Sequence, residues 1–163
     1  AFSGQYSGIW QVSGWVPPVF DQEDFSAVHD REEREISEIS RQIATLPRHS
    51  KKRALLFKER RQRSRALMAA LFGLYRLTNF AGRTLPLSEA FSASSGVPTG
   101  TGDCCAPKLL HYAAQKNLTP IGLAEFYWGK ENRSGTRHHG RFYPPCENKC
   151  RPILGFLLCG LEN

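Results

Sequence analysis

From residue 21 to residue 78 the apolar positions keep a helical period. Ile36, Ile39, Ile43 and Leu46 follow at steps of three or four, which puts them on one helix face. Asp21 or Ser26 stands where a side-chain oxygen can accept from the first free N–H groups, and Pro47 breaks the pattern. A second helix is expected from about Ser50 to Tyr75, with Leu55, Leu56, Leu67, Met68, Leu71, Phe72 and Tyr75 as its apolar residues. The segment 21–78 therefore predicts a long helical hairpin.

The flanks have another texture. Residues 1–20, AFSGQYSGIWQVSGWVPPVF, space aromatic and β-branched residues with Gly and Ser, which reads as one or two strands ended by Pro17-Pro18. In 79–163 a turn segment NFAGRTLPLSEAF and a Gly-rich loop SSGVPTGTGD precede a helix APKLLHYAAQKN, a strand TPIGLAEFYWG, a loop ENRSGTRHHGR and a terminal helix RPILGFLLCGL. That alternation predicts a layered α/β domain made of residues 1–20 and 79–163, with the hairpin inserted between its parts.

Composition adds charge to this outline. The chain has 163 residues, 40% of them hydrophobic, enough for one domain with its own core and an appendage. No apolar run approaches the roughly 20 residues of a membrane span, and AFSGQYSG has neither the basic nor the apolar region of a signal peptide, so a soluble cytoplasmic protein is expected. The start at Ala1, without an initiator Met, suggests a fragment or processed product. A net charge of +7 points to an anionic partner, RNA or DNA. The charge is also segregated. Acidic residues crowd the first helix from Asp21 to Glu38, while Arg48, Lys51, Lys52, Arg53, Lys58, Arg60, Arg61, Arg63 and Arg65 crowd the second. Two readings compete: the opposite charges of a hairpin face each other or solvent, or the basic face lies along a phosphate backbone.

Candidate chemistry lies in the cysteines. Cys104/Cys105 and Cys146/Cys150 form two clusters, and Cys159 stands alone among leucines, where a core position is expected. Asp103 can cap the helix after the Gly-rich turn, with Pro107 in its first turn, so Cys104 and Cys105 fall at a helix start that favours thiolate. Cys146 and Cys150 are one helical turn apart. A tetrahedral zinc site from Cys104, Cys146 and Cys150 is one reading, with Cys105, His111, His138 or His139 as fourth ligand; buried thiols are the second and a disulfide the third. In TRHHGRFY, Arg137 and Arg141 are candidate RNA contacts and Phe142 and Tyr143 candidate stacking rings. The competing reading carries both rings into the core. Phe126, Tyr127 and Trp128 are expected to pack, and Glu125 is the one carboxylate placed for burial or for pairing with an arginine.

The stretches CCAPKLL, AEFYWG and YPPCENKC, with AFSGQ and WVPPVFD before them, resemble the long N-terminal region that precedes the catalytic domain in some bacterial RluA-type RNA pseudouridine synthases. The resemblance covers essentially the whole chain. It implies a cytoplasmic protein acting on ribosomal or transfer RNA, with its own catalytic domain following Asn163 as partner. The family signature HRLDxxTSG, whose Asp is the nucleophilic residue, has no counterpart here. No catalytic residue is therefore assigned, and the implied role is to bind or position RNA. Lys51, Lys52, Arg53, Arg60, Arg61 and Arg63 are the expected phosphate contacts of the hairpin. The cysteine layout also resembles that of zinc-dependent nucleobase deaminases, which implies a cytidine-deaminase-like core. Ala106 occupies the place of the proton-shuttling Glu, and the second cysteine pair holds one residue too many, so the implied site anchors a fold and performs no reaction.

Overall fold

The computed structural model describes residues 1–94 and 96–161. Among them are five α-helices and one two-stranded sheet: α1 (Gln22–Thr45), α2 (Lys51–Leu74), β1 (Arg76–Thr78), β2 (Thr84–Pro86), α3 (Leu87–Ala90), α4 (Cys105–Gln115) and α5 (Arg151–Leu158). The chain divides into two compact units, Phe20–Tyr75 and Ala1–Val19 with Arg76–Asn163. No helix among the described residues is long and apolar enough to cross a membrane.

In the first unit α1 and α2 run antiparallel, joined by a five-residue turn. Contacts between them keep an almost constant sum of residue numbers: Arg53 donates to the Leu46 carbonyl at 2.9 Å, Arg63 pairs with Glu32 at 3.5 Å, and the Phe20 ring meets Tyr75 at 4.9 Å. Asp21, and not Ser26, caps α1, accepting from the N–H groups of Glu23 and Asp24 at 2.8 and 3.1 Å. Ile39 and Ile43 are buried on α1, and Leu67 and Leu71 on α2. Leu55, expected among the apolar contacts of α2, is 68% exposed. The apolar residues of α2 are scattered around its circumference, so only part of them can face α1.

In the second unit β1 and β2 pair antiparallel with Leu77 opposite Leu85, and α3, α4 and α5 gather around them. Leu77, Leu87, Ile153 and Leu157 lose all solvent contact, each burial stabilising by about 1.5–3 kcal/mol. His111 of α4 lies in the same core, where its Nδ1 accepts the Thr78 N–H at 3.0 Å and ties the helix to the sheet. Gly160 brings the end of the chain back: at φ +94° a Cβ would run into the backbone of Phe80 and Ala81, and the Ala81 N–H donates to the Cys159 carbonyl at 3.0 Å.

Two sequence expectations change. The segments expected as strands in 1–20 and 119–129 form only isolated bridges, Tyr6 with Ile9 and Phe126 with Phe142. Each is paired over a single residue pair, so the ladder does not propagate. Cys159 is exposed, because α5 ends at Leu158 and the residue turns into extended backbone at the C-cap.

Removing the α1 cap should be costly. Asp21→Ala is expected to lower stability by about 1 kcal/mol in urea unfolding followed by helical circular dichroism. The buried imidazole gives a pH signature. Burial holds the pKa of His111 below its ordinary 6.5. The unfolded chain therefore takes up the proton first, and stability present above pH 6.5 is lost as pH falls through the folded value. Thermal unfolding at pH 7.5 and pH 5 should show this loss, and His111→Gln should reduce it.

Candidate metal centre and basic helix face

The thiols converge because two helices begin next to each other. Gly100 and Gly102, at φ +81° and +91°, turn the chain into Cys104, which is the N-cap residue of α4. Cys150 is the N-cap residue of α5, with Pro152 following in the first turn. A tight turn wraps the segment before α5: the Arg151 N–H donates to the Cys146 carbonyl at 3.1 Å and the Cys150 N–H to Cys146 Sγ at 3.4 Å. Cys104 Sγ lies 3.8 Å from Cys146 Sγ, and the sulfurs of Cys104, Cys146 and Cys150 all fall within 4.8 Å of one another. With zinc–sulfur bonds of about 2.3 Å, the edge of a sulfur tetrahedron is about 3.8 Å. The soft three-sulfur donor set and its spacing fit zinc.

None of the expected fourth ligands joins them. Cys105 turns its sulfur to the Ala1 carbonyl at 3.5 Å, and burial pushes its pKa up. His111 is committed to Thr78, His138 pairs with Glu131 at 2.7 Å, and His139 accepts the Gly129 N–H at 3.2 Å beside the Trp128 ring. Among the described residues the ligating group consists of the three cysteines.

Two residues at this centre carry roles that the sequence did not disclose. Asp103 is not the cap of α4. The carboxylate of Glu125 accepts the Ala106 N–H at 2.8 Å, while the Glu125 carbonyl accepts the Tyr143 N–H at 3.0 Å. One residue thus clasps both cysteine-bearing segments. Lys108, one helical turn beyond Cys104, is 1% exposed. Its ammonium donates to the carbonyls of Phe2 at 3.0 Å and Gly4 at 3.2 Å and lies over the Phe2 ring. Burial lowers its pKa, and the charges of Asp103, Cys105 and Cys104 act in the opposite direction. The signal available in the sequence was a lysine within the apolar run APKLL.

The thiols share their protons unequally. A hydrogen bond from Cys150 outweighs burial and brings Cys104 down to about 6, with Ser3 and Cys146 adding further hydrogen bonds. Cys150, the donor, is pushed far above an ordinary thiol by the same bond and by burial.

The basic residues sort into two groups. Arg63 is held by Glu32 at 3.5 Å and Glu59 at 3.3 Å. Among the described residues no other cation of α2 has a carboxylate within ion-pair distance. Lys51, Lys52 and Arg61 are exposed, and the guanidinium groups of Arg53 and Arg60 lie 5.3 and 5.0 Å from the ring of half-exposed Phe57. A shallow groove along this face is lined by Phe57, Arg60, Arg61, Arg65, Met68 and Phe72. In the other unit Arg137 stacks on Tyr143 at 4.1 Å and Arg141 is exposed. Phe126, Trp128 and Phe142, of which the first two were expected to pack, are 53, 74 and 70% exposed. Around the Phe126–Phe142 bridge side chains alternate, so Glu125, Tyr127 and Tyr143 are half-buried while the even-numbered rings face solvent.

Comparison with protein-family models, curated proteins and solved structures finds no match to this chain.

In metal-free protein Cys104 should be mostly thiolate at neutral pH. Its alkylation by iodoacetamide, followed by peptide mass spectrometry, is expected to rise through pH 6 and level off near pH 7.5.

Proposed function

We propose that this chain is the non-catalytic N-terminal domain of an RluA-type pseudouridine synthase, a cytoplasmic enzyme, and that it binds or positions ribosomal or transfer RNA for a catalytic domain following Asn163. The observation that carries this reading is the state of α2. Its cations are gathered on one helix, and all but Arg63 lack carboxylate partners among the described residues. Charge repulsion among them is relieved when phosphates replace the missing carboxylates, and each neutralised phosphate releases counterions. Phe57, with arginines over it, adds a ring on which an unpaired base can stack. Arg137 and Arg141, close in sequence to the exposed rings of Phe126, Trp128 and Phe142, extend the same chemistry to the other unit.

The thiol centre favours a second element of the proposal. Thiols from two helix starts converge as in a zinc-binding, cytidine-deaminase-like core into which the hairpin is inserted. Ala106 supplies no acid, so the core serves as an anchored scaffold.

A salt titration with a fluorescent single-stranded RNA tests the first element. Affinity should fall steeply with rising salt, and Lys52→Glu with Arg61→Glu should lower it at least tenfold and flatten the salt slope. Arg63→Glu, at a cation already paired, should change affinity less. Salt-independent binding, or equal losses for all three sites, contradicts the phosphate-contact reading.

A further inference from the structure

The three sulfurs leave one corner of a tetrahedron without a protein ligand, and the surroundings of that corner are specific. Among the described residues no histidine, carboxylate or further thiol lies within the distance that groups the three sulfurs. Glu125 is near enough for its charge to act on the Cys104 thiol. Its Oε1 is fixed at 2.8 Å on the Ala106 N–H, two residues beyond Cys104. Its Oε2 has no hydrogen-bond donor among the described residues, although the residue is half-buried. A free carboxylate oxygen beside a three-thiolate set has the arrangement of zinc sites in which three protein ligands hold the ion and the fourth place belongs to a small ligand. Such a site needs an outer acceptor to orient that ligand.

A buried cation near the sulfurs is compatible with an anionic metal set. Zinc with three thiolates carries one net negative charge, and the buried ammonium of Lys108 lies one helical turn from Cys104. Lys108 is also favoured by the nearby charge of Asp103, and the anionic set would add to that.

We propose that Cys104, Cys146 and Cys150 hold a zinc ion whose fourth position stays open to a small ligand from solvent, and that the free oxygen of Glu125 faces that position as its hydrogen-bond acceptor. The centre is therefore a ligand-accepting site for neutral nitrogen, oxygen or sulfur donors. Glu125 is its positioning residue, supplied from the segment bridged to Phe142 and not from the helix start, where Ala106 stands.

The inference is independent of RNA binding and is tested on the full chain with metal as probe. Purified protein should contain zinc stoichiometric with the chain, and cobalt-loaded protein should show thiolate charge-transfer bands with the intense visible bands of four-coordination. Titrating imidazole into the cobalt protein should shift the visible bands to saturation. An unchanged spectrum means that a protein side chain closes the site and overturns the proposal. Glu125→Gln keeps an oxygen to accept the Ala106 N–H but removes the charge. It should retain its metal and raise azide affinity by about tenfold, because an anion is no longer repelled by a nearby carboxylate. Loss of metal in Glu125→Gln makes the carboxylate itself the fourth ligand, and unchanged azide affinity places it away from the open position. Either result overturns the assignment.

Discussion

Glu125 is the residue on which the thiol centre depends. Its carboxylate holds the first turn of α4 through the Ala106 N–H, and its carbonyl holds Tyr143, three residues before Cys146. The clasp adds to the sulfur contacts, which are weak hydrogen bonds, and to the packing of α4 against α5. The clasp also settles a local problem of α4. A helix start leaves backbone N–H groups unsatisfied, and Cys104 at the N-cap makes no side-chain bond to them. The oxygen is brought from a distant segment, so the same hydrogen bond that completes the helix fixes where the second cysteine segment lies.

Electrostatics ties that geometry to the core. Lys108 is buried because the chain near Phe2 and Gly4 wraps over it and gives its ammonium two carbonyls. A buried ammonium is costly unless it is hydrogen-bonded and charge-balanced. The charge of Asp103 offers the largest share of the balance, with Cys105 and Cys104 adding to it, and Cys104 in turn is stabilised by Cys150, Ser3 and Cys146. The N-terminal segment therefore has a role that its lack of regular structure conceals: it closes the environment in which a thiolate and an ammonium can coexist. Its single Tyr6–Ile9 bridge turns through Ser7 and Gly8 at φ 49° and 80°, and the Gly4 N–H then reaches the Asp103 carbonyl at 2.9 Å.

Local signals were legible in the sequence, and long-range partnerships were not. The period of Ile36, Ile39 and Ile43, the cap at Asp21 and the stop at Pro47 are properties of a few adjacent residues, and the helices follow them closely. Convergence of Cys104 with Cys146 and Cys150 was legible because both clusters begin helices. The role of Glu125 was not, since a carboxylate in an apolar strand pattern says only that it needs a partner, and that partner is 19 residues away in sequence. Lys108 hides for a similar reason: its place in the apolar run APKLL is a signal, but a lysine whose stem lies along the surface can occupy such a run too. Strand patterns were the least informative. Alternation correctly sorts Glu125 and Tyr127 from Phe126 and Trp128, but a pattern of alternation cannot say which face is covered, and here the large rings are on the open one.

The two long helices make different compromises. In α1 every terminal signal agrees with helix formation: Asp21 caps it, and Glu23 and Asp24 sit at the positive end of its dipole. In α2 the signals conflict. Ser50 makes no cap bond, the first turn contains Lys51, Lys52 and Arg53, and no acidic residue is there to favour the dipole. Cations in a first turn disfavour a helix by roughly 0.3–1 kcal/mol each near an exposed terminus. Packing does not explain their placement, because Lys51 and Lys52 are exposed and touch no carboxylate. On the proposed reading, a helix whose first turn opposes its own dipole would gain from a bound polyanion. Phosphates at that end would satisfy the free N–H groups and the lysines together. On the same reading, binding at that end would add stability to the folded chain by mass action.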